Sequence, residues 1–211
     1  ASALAAVTVS DYGFSRRMDI GSPAAMTLLL QKVGDLRYGE NPHQPAAWYA
    51  EEPPYGLGAA TVIQGKELSY TNLLDLDAAT RIVLEFDEPA AAVIKHTNPC
   101  GAATGRDAGD AYVRAREADS LSAFGAVIGL NRPIDEQTVR AIVSTRIDAV
   151  IAPEVTETAR PILGTRPNMR VVTVDFSTLS EAVVDRRSIL GAVLEQMRDR
   201  VIARFDLDTT E

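Results

Sequence analysis

Ala90-Ala91-Ala92-Val93-Ile94-Lys95-His96-Thr97-Asn98-Pro99-Cys100-Gly101 is an apolar run that rises into a lysine and a histidine and then breaks at Asn-Pro-Cys-Gly. An unbroken apolar stretch bounded by turn formers reads as a strand buried on both faces. It ends by offering two basic side chains at the lip of a cleft. Working outward, the apolar positions Leu73, Leu74, Leu76, Ala79, Ile82, Val83 and Phe86 carry the 3–4 spacing of a helix over 73–86, with Asn72 as its N-cap. Downstream the pattern alternates: helix 107–118, strand 124–130, helix 135–145, strand 149–152, helix 156–163, strand 170–174. Such alternation with short connections predicts an α/β domain with a mostly parallel sheet covered by helices. Ligands of such sheets sit beyond the carboxyl ends of the strands, where Lys95 and His96 fall.

The flanks read differently. Residues 1–25 have little periodicity and are expected to be a leader or linker; 26–176 form the α/β domain, opening on a strand at Met26–Val33; 177–211 form a C-terminal helix and tail. Thr178-Leu179-Ser180-Glu181 fits a capping box for that helix, which would run to about Arg204. Leu190, Leu194, Met197 and Val201 would be its packing face.

Composition narrows the function classes. With 46% hydrophobic residues in 211, the chain can bury a core. Its net charge of -8 would repel a nucleic-acid duplex and leaves room only for a local basic pocket. No apolar run reaches the roughly 20 residues of a membrane-spanning helix. The single cysteine, Cys100, cannot make an internal disulfide, which fits a reducing cytoplasm. One cysteine and two histidines do not make a tetrahedral zinc site, so no metal is expected.

Three stretches carry chemistry. A histidine can serve as a general base near neutral pH, and a lysine beside it can steady an oxyanion. Lys95 and His96 fit those roles, although the same loop also fits a capped strand end with a solvated lysine. Cys100 reads as structural, for lack of a demonstrated base or positive field beside it. Arg37-Tyr38-Gly39-Glu40-Asn41-Pro42-His43-Gln44 is dense in polar and special residues, and an arginine there could grip a phosphate or carboxylate. Gln64-Gly65-Lys66-Glu67-Leu68-Ser69-Tyr70-Thr71-Asn72 offers donors at a helix start. Gly101-Ala102-Ala103-Thr104-Gly105 is a weak candidate for an anion cradle.

Leu36–Gln44, Gln64–Tyr70, Lys95–Gly101 and Ser122-Ala123-Phe124-Gly125 occur in one order within the stretch from about Met26 to Val174. In that order they closely resemble the formyltransferase portion of the bifunctional AICAR transformylase/IMP cyclohydrolase family. The resemblance implies transfer of a formyl group from 10-formyltetrahydrofolate to the amine of an aminoimidazole carboxamide ribotide. It implies His96 as the proton acceptor and Lys95 as the stabiliser of the formyl oxygen. Arg37 and Tyr38 would hold the nucleotide, with Asn72, Asn98, Gly125 and Asp148 around the substrate. It also implies a cytidine-deaminase-like lobe without zinc, and a homodimer with sites at the subunit interface. The family has a cyclohydrolase domain before this region and a second transformylase lobe after it. Only one lobe is expected here, so the site would need a homodimer or a partner supplying the missing lobe. The other reading is a non-catalytic nucleotide-binding module.

Overall fold

The computed structural model describes residues 24–179 and 184–198. They fall into two compact units, 24–28 with 184–198 and 29–179. The expected leader lies almost wholly in 1–23, outside the described residues.

The larger unit is built on a six-stranded sheet. Its strands are β3 (Thr61–Gln64), β4 (Ala90–Lys95), β5 (Asn98–Thr104), β6 (Ala126–Leu130), β7 (Ile147–Ala152) and β8 (Arg170–Thr173), in the order β3-β8-β7-β6-β4-β5. Only β6–β7 and β7–β8 are parallel; β3–β8, β6–β4 and β4–β5 are antiparallel. The sheet is therefore mixed, not mostly parallel. Thr97–Gly105 reads as a loop in sequence because Pro99 and two glycines interrupt it, yet most of it is β5. The proline is tolerated because β5 is an edge strand, where a missing N–H need not break a ladder. The two-residue link from β4 to β5 is too short for a crossover and forces antiparallel pairing.

Alternate residues of the central strands supply two cores. Ala91 and Val93 of β4 face one with Ile128, Val150 and Val171; helices α2 (Ala108–Ala118), α3 (Glu136–Val143) and α4 (Arg160–Leu163) cover it. Ala92 and Ile94 face the other with Val127, Ala149, Ile151 and Val172, under α1 (Tyr70–Val83). The layering is helix, sheet, helix. The close approach of α1 needs Gly129, because a Cβ there would lie 2.8 Å from the Ala79 carbonyl oxygen.

Helix α1 begins earlier than the apolar spacing predicts. Ser69 is the N-cap, and Asn72 is the third helical residue: the Asn72 N–H donates to Ser69 Oγ at 3.2 Å and the Ser69 N–H donates to Asn72 Oδ1 at 3.1 Å. Asn72 completes a reciprocal capping box instead of capping alone. Helices α2 and α3 follow expectation more closely, with Asp107 and Asp135 as their N-caps, whereas α4 covers only the second half of the expected helix 156–163. No helix among the described residues is long and apolar enough to cross a membrane.

Two elements precede the main sheet. β1 (Leu30–Leu36) and β2 (Ala46–Glu51) form an antiparallel pair, starting later than the expected strand at Met26. Trp48 of β2 packs against the core under α1.

The expected C-terminal helix is overturned where the chain is described. Residues 184–198 carry a hairpin of β9 (Val184–Ile189) and β10 (Ala192–Met197), with Gly191 at φ 73° in the turn. The leucine spacing was misleading. Gly191 is a poor residue for a helix interior but suits a hairpin turn, and Val184, Ile189 and Val193 favour strands. The Arg186–Glu195 ion pair crosses the hairpin at 2.7 Å. The remaining parts of the expected helix, 180–183 and 199–204, lie outside the described residues.

Candidate active site at one end of the sheet

His96 and Thr97 are the two central residues of the β4–β5 turn, flanked by the pair Lys95–Asn98. Both have positive φ, 55° and 63°. Two-residue hairpins favour such geometry, but normally with Asn, Asp or Gly in it. A β-branched threonine at positive φ is an outlier, and backbone strain of this kind clusters at functional sites. Three hydrogen bonds hold the turn. The Thr97 N–H donates to Asp75 Oδ1 at 2.6 Å, Thr97 Oγ1 donates to the His96 carbonyl at 2.6 Å, and Asn98 Nδ2 donates to the same carbonyl at 2.8 Å. The imidazole is left on an exposed tip, beside the lysine that closes β4.

Register places the other candidates at the same end of the sheet. Ile94 pairs with Val127, and Ala126 pairs with Ile147, so the carboxyl end of β4 lies level with the amino ends of β6 and β7. The site is therefore not beyond the carboxyl ends of the parallel strands, because β4 runs against them. Gly125, at φ 71°, immediately precedes β6, and its N–H donates to the Arg146 carbonyl at 2.8 Å. Lys95 Nζ donates to the Phe124 carbonyl at 3.2 Å. Phe124 is 60% exposed, with the Arg146 guanidinium 5.3 Å from its ring centroid.

Asp148 stands at an irregularity. Ala126 pairs with Ile147 but Val127 pairs with Ala149, so Asp148 has no opposite residue on β6. It is the one exposed residue of β7. Such register slips redirect a side chain and recur beside active sites. A similar slip leaves Cys100 unpaired between Gly101 and Pro99. Cys100 packs against the α2 core, and burial, then Asp119, pushes its thiol above the usual range. That is the opposite of an activated nucleophile.

The other predicted residues divide. Asn72 belongs to the first turn of α1, one turn before Asp75, so it is brought toward the same end. Arg37 and Tyr38 directly follow β1, with the guanidinium 5.2 Å from the ring centroid. Among the described residues no hydrogen bond or ion pair joins them to the Lys95–Asn98 turn. His43 is exposed in a self-bonded turn, where Gln44 Oε1 accepts from the Asn41 N–H and side-chain amide. Gln64 spends its amide on the carbonyls of Leu163, Arg166 and Met169. The glycines of Gly101–Gly105 do not cradle an anion. A Cβ at Gly101 would lie 2.1 Å from the Ala115 carbonyl oxygen, and one at Gly105 would lie 2.4 Å from the Ala111 nitrogen, so they admit α2 against β5.

Asp75 and Arg146 escape a reading by motif, and Phe124, although it lies in the Ser122–Gly125 motif, is given no role by it. Asp75 does leave a trace in the sequence. It falls on the stripe Asn72, Asp75, Leu76, Ala79, Thr80, Val83 that α1 buries, where a carboxylate needs a reason.

The fold and site define an α/β domain in which a strained hairpin carries a histidine directly after the lysine that ends a strand, at one end of a mixed sheet. The chain belongs to the AICARFT/IMPCHase bienzyme family, which it matches over residues 5–210. It is 49% identical over 180 residues to a bifunctional purine biosynthesis protein PurH of Nostoc punctiforme, covering 84% of this chain and 35% of that protein. It is 46% identical over 195 residues to the protein of the same description from Anaeromyxobacter sp. strain K, covering 87% and 37%. The chain thus spans about a third of the length of these relatives.

Proposed function

We propose that this chain carries the proton-accepting part of a formyltransferase site in purine biosynthesis. The acceptor is the amine of an aminoimidazole carboxamide ribotide, and the donor is 10-formyltetrahydrofolate. The observation that carries the reading is the strained turn, which holds His96 beside Lys95 with Gly125 and Asp148 at the same sheet end. An arylamine conjugated to a carboxamide is a weak nucleophile. His96 takes its proton as nitrogen bonds to the formyl carbon, and the Lys95 ammonium steadies the negative charge that grows on the formyl oxygen. The carbon–nitrogen bond to the folate then breaks, and that nitrogen leaves with a proton. Lys95 suits this role because one donor is occupied by the Phe124 carbonyl, which aims the ammonium, while an ammonium has three to give.

Arg37 and Tyr38 hold the ribotide, with Asn72, Asn98, Gly125 and Asp148 around it. Asn72 and Asn98 already spend polar atoms on the α1 cap and the hairpin turn, so each contributes from a fixed position. The relatives' greater length supports a pocket that closes against further protein, either a second copy in a homodimer or a separate lobe. The single cysteine is consistent with work in the reducing cytoplasm.

Calorimetry with the ribotide, followed by product mass spectrometry after adding 10-formyltetrahydrofolate, tests the reading. His96→Ala is expected to lower turnover by about 10²–10⁴-fold and to keep ribotide affinity within a few-fold. Full turnover in that variant removes His96 as the base. No ribotide binding by the wild type removes the substrate.

A further inference from the structure

We propose that Asp75 is the positioning residue for His96, acting through the backbone of Thr97. The inference rests on His96 being the proton acceptor. The turn that carries His96 has no glycine, yet both central residues sit at positive φ. That region is sterically unfavourable for L-residues, most of all for a β-branched one, so the turn needs an anchor outside the hairpin. Of its three described hydrogen bonds, two are made within the turn and one comes from elsewhere: the Thr97 N–H to Asp75 Oδ1 at 2.6 Å, spanning β4 and most of α1.

The cost of that anchor argues that it is more than a chance contact. Asp75 is only 9% exposed and sits on the buried stripe of α1, beside Leu76 and Ala79. Among the described residues it makes no salt bridge. A buried carboxylate is unfavourable unless it is well bonded, and an apolar residue would fit this stripe. A bond from a backbone N–H to a charged carboxylate is shorter and roughly twice as strong as a neutral one. Asp75 therefore fixes the more strained of the two turn residues to the rigid core of α1. The neighbouring imidazole inherits its position from that bond. No described hydrogen bond joins Asp75 to the His96 side chain; its link to the imidazole runs through the Thr97 N–H.

The 211-residue chain has two histidines, so its imidazole NMR spectrum contains one site signal and one control. His43, in the Asn41–Gln44 turn, is the control. Asp75→Ala is expected to displace and broaden the His96 cross-peaks while His43 stays in place. Asp75→Leu, which suits an apolar stripe, is expected to do the same and guards against a simple folding defect. Asp75→Asn keeps the Oδ1 acceptor and restores most of the wild-type His96 signal. Thr97→Gly, which relieves the φ of 63°, is expected to restore it in the Asp75→Ala background. In turnover, kcat falls about 100-fold for Asp75→Ala with KM within a few-fold, the signature of a misplaced base. The proposal is overturned if His96 stays in place in both Asp75→Ala and Asp75→Leu, if both histidines shift together, or if neither Asp75→Asn nor Thr97→Gly rescues. If His96 moves as expected but His96→Ala turns over like the wild type, formyl transfer by His96 fails and the Asp75–Thr97 coupling stands.

Discussion

Lys95 Nζ and the Phe124 carbonyl oxygen lie 3.2 Å apart, which ties the end of β4 to the loop entering β6. The same loop is held from its other side by the Gly125 N–H on the Arg146 carbonyl at 2.8 Å. Three chain segments far apart in sequence thus share one hydrogen-bonded corner. The aim of the Lys95 ammonium depends on the backbone of an exposed residue.

Gly125 makes that corner possible through its backbone and not through space. Its φ is 71°, and an added Cβ would meet nothing within 4 Å. Gly125→Ala is expected to cost about 1–2 kcal/mol in urea denaturation, and Gly125→Asn less, since Asn visits this region more readily. Equal costs for the two would show that the penalty has another origin.

The strain at His96 predicts a trade between stability and function. His96→Asn puts a residue tolerant of positive φ at the turn tip. The variant is expected to be as stable as the wild type or more stable by up to about 1 kcal/mol, and inactive in formyl transfer. A clear loss of stability on urea denaturation would mean that the imidazole itself braces the turn.

Gly101 separates a packing role from anion binding. A Cβ there would meet the Ala115 carbonyl oxygen at 2.1 Å and Ala118 Cβ at 2.8 Å. Gly101→Ala is expected to destabilise the domain by about 3 kcal/mol as α2 is pushed from β5. Were the glycine part of a phosphate cradle, the variant would instead keep its melting temperature and lose ribotide affinity.

Ser122 predicts a pH dependence. Its hydroxyl and then its N–H, both donating to Asp119, hold that carboxyl below the usual carboxylate range, with Lys95 adding a smaller pull. A depressed folded-state value means that Asp119 contributes stability above the unfolded value, about 4, and loses it as pH falls through the folded one. Ser122→Ala should melt below the wild type at neutral pH, and the gap should close in acid. Thermal melts from pH 7 downward measure it; a gap that widens in acid would reverse the sign of the coupling.

Much of this was legible in the chain. The apolar run Ala90–Ile94 and the helical stretches 107–118 and 135–145 are local signals, and the strand and helices they announce are present. β5 was not legible, because Pro99 and the glycines look like a loop until an edge position excuses them. Nor was the hairpin of β9 and β10, where leucines at helical spacing masked Gly191 in a turn.

The sequence by itself determined that the chain is α/β, that Lys95 and His96 close a buried strand, and that the family motifs run in order. Those facts are written in neighbouring residues, where hydrophobic period, capping chemistry and motif spacing act. Tertiary structure alone decided that β4 runs against β6, which turns the site toward the amino ends of the parallel strands. It alone joined Asp75 to Thr97 and Lys95 to Phe124. Strand direction and long-range hydrogen bonds depend on which segments pack together. That choice is made by burial over the whole sheet, and no short stretch of sequence contains it.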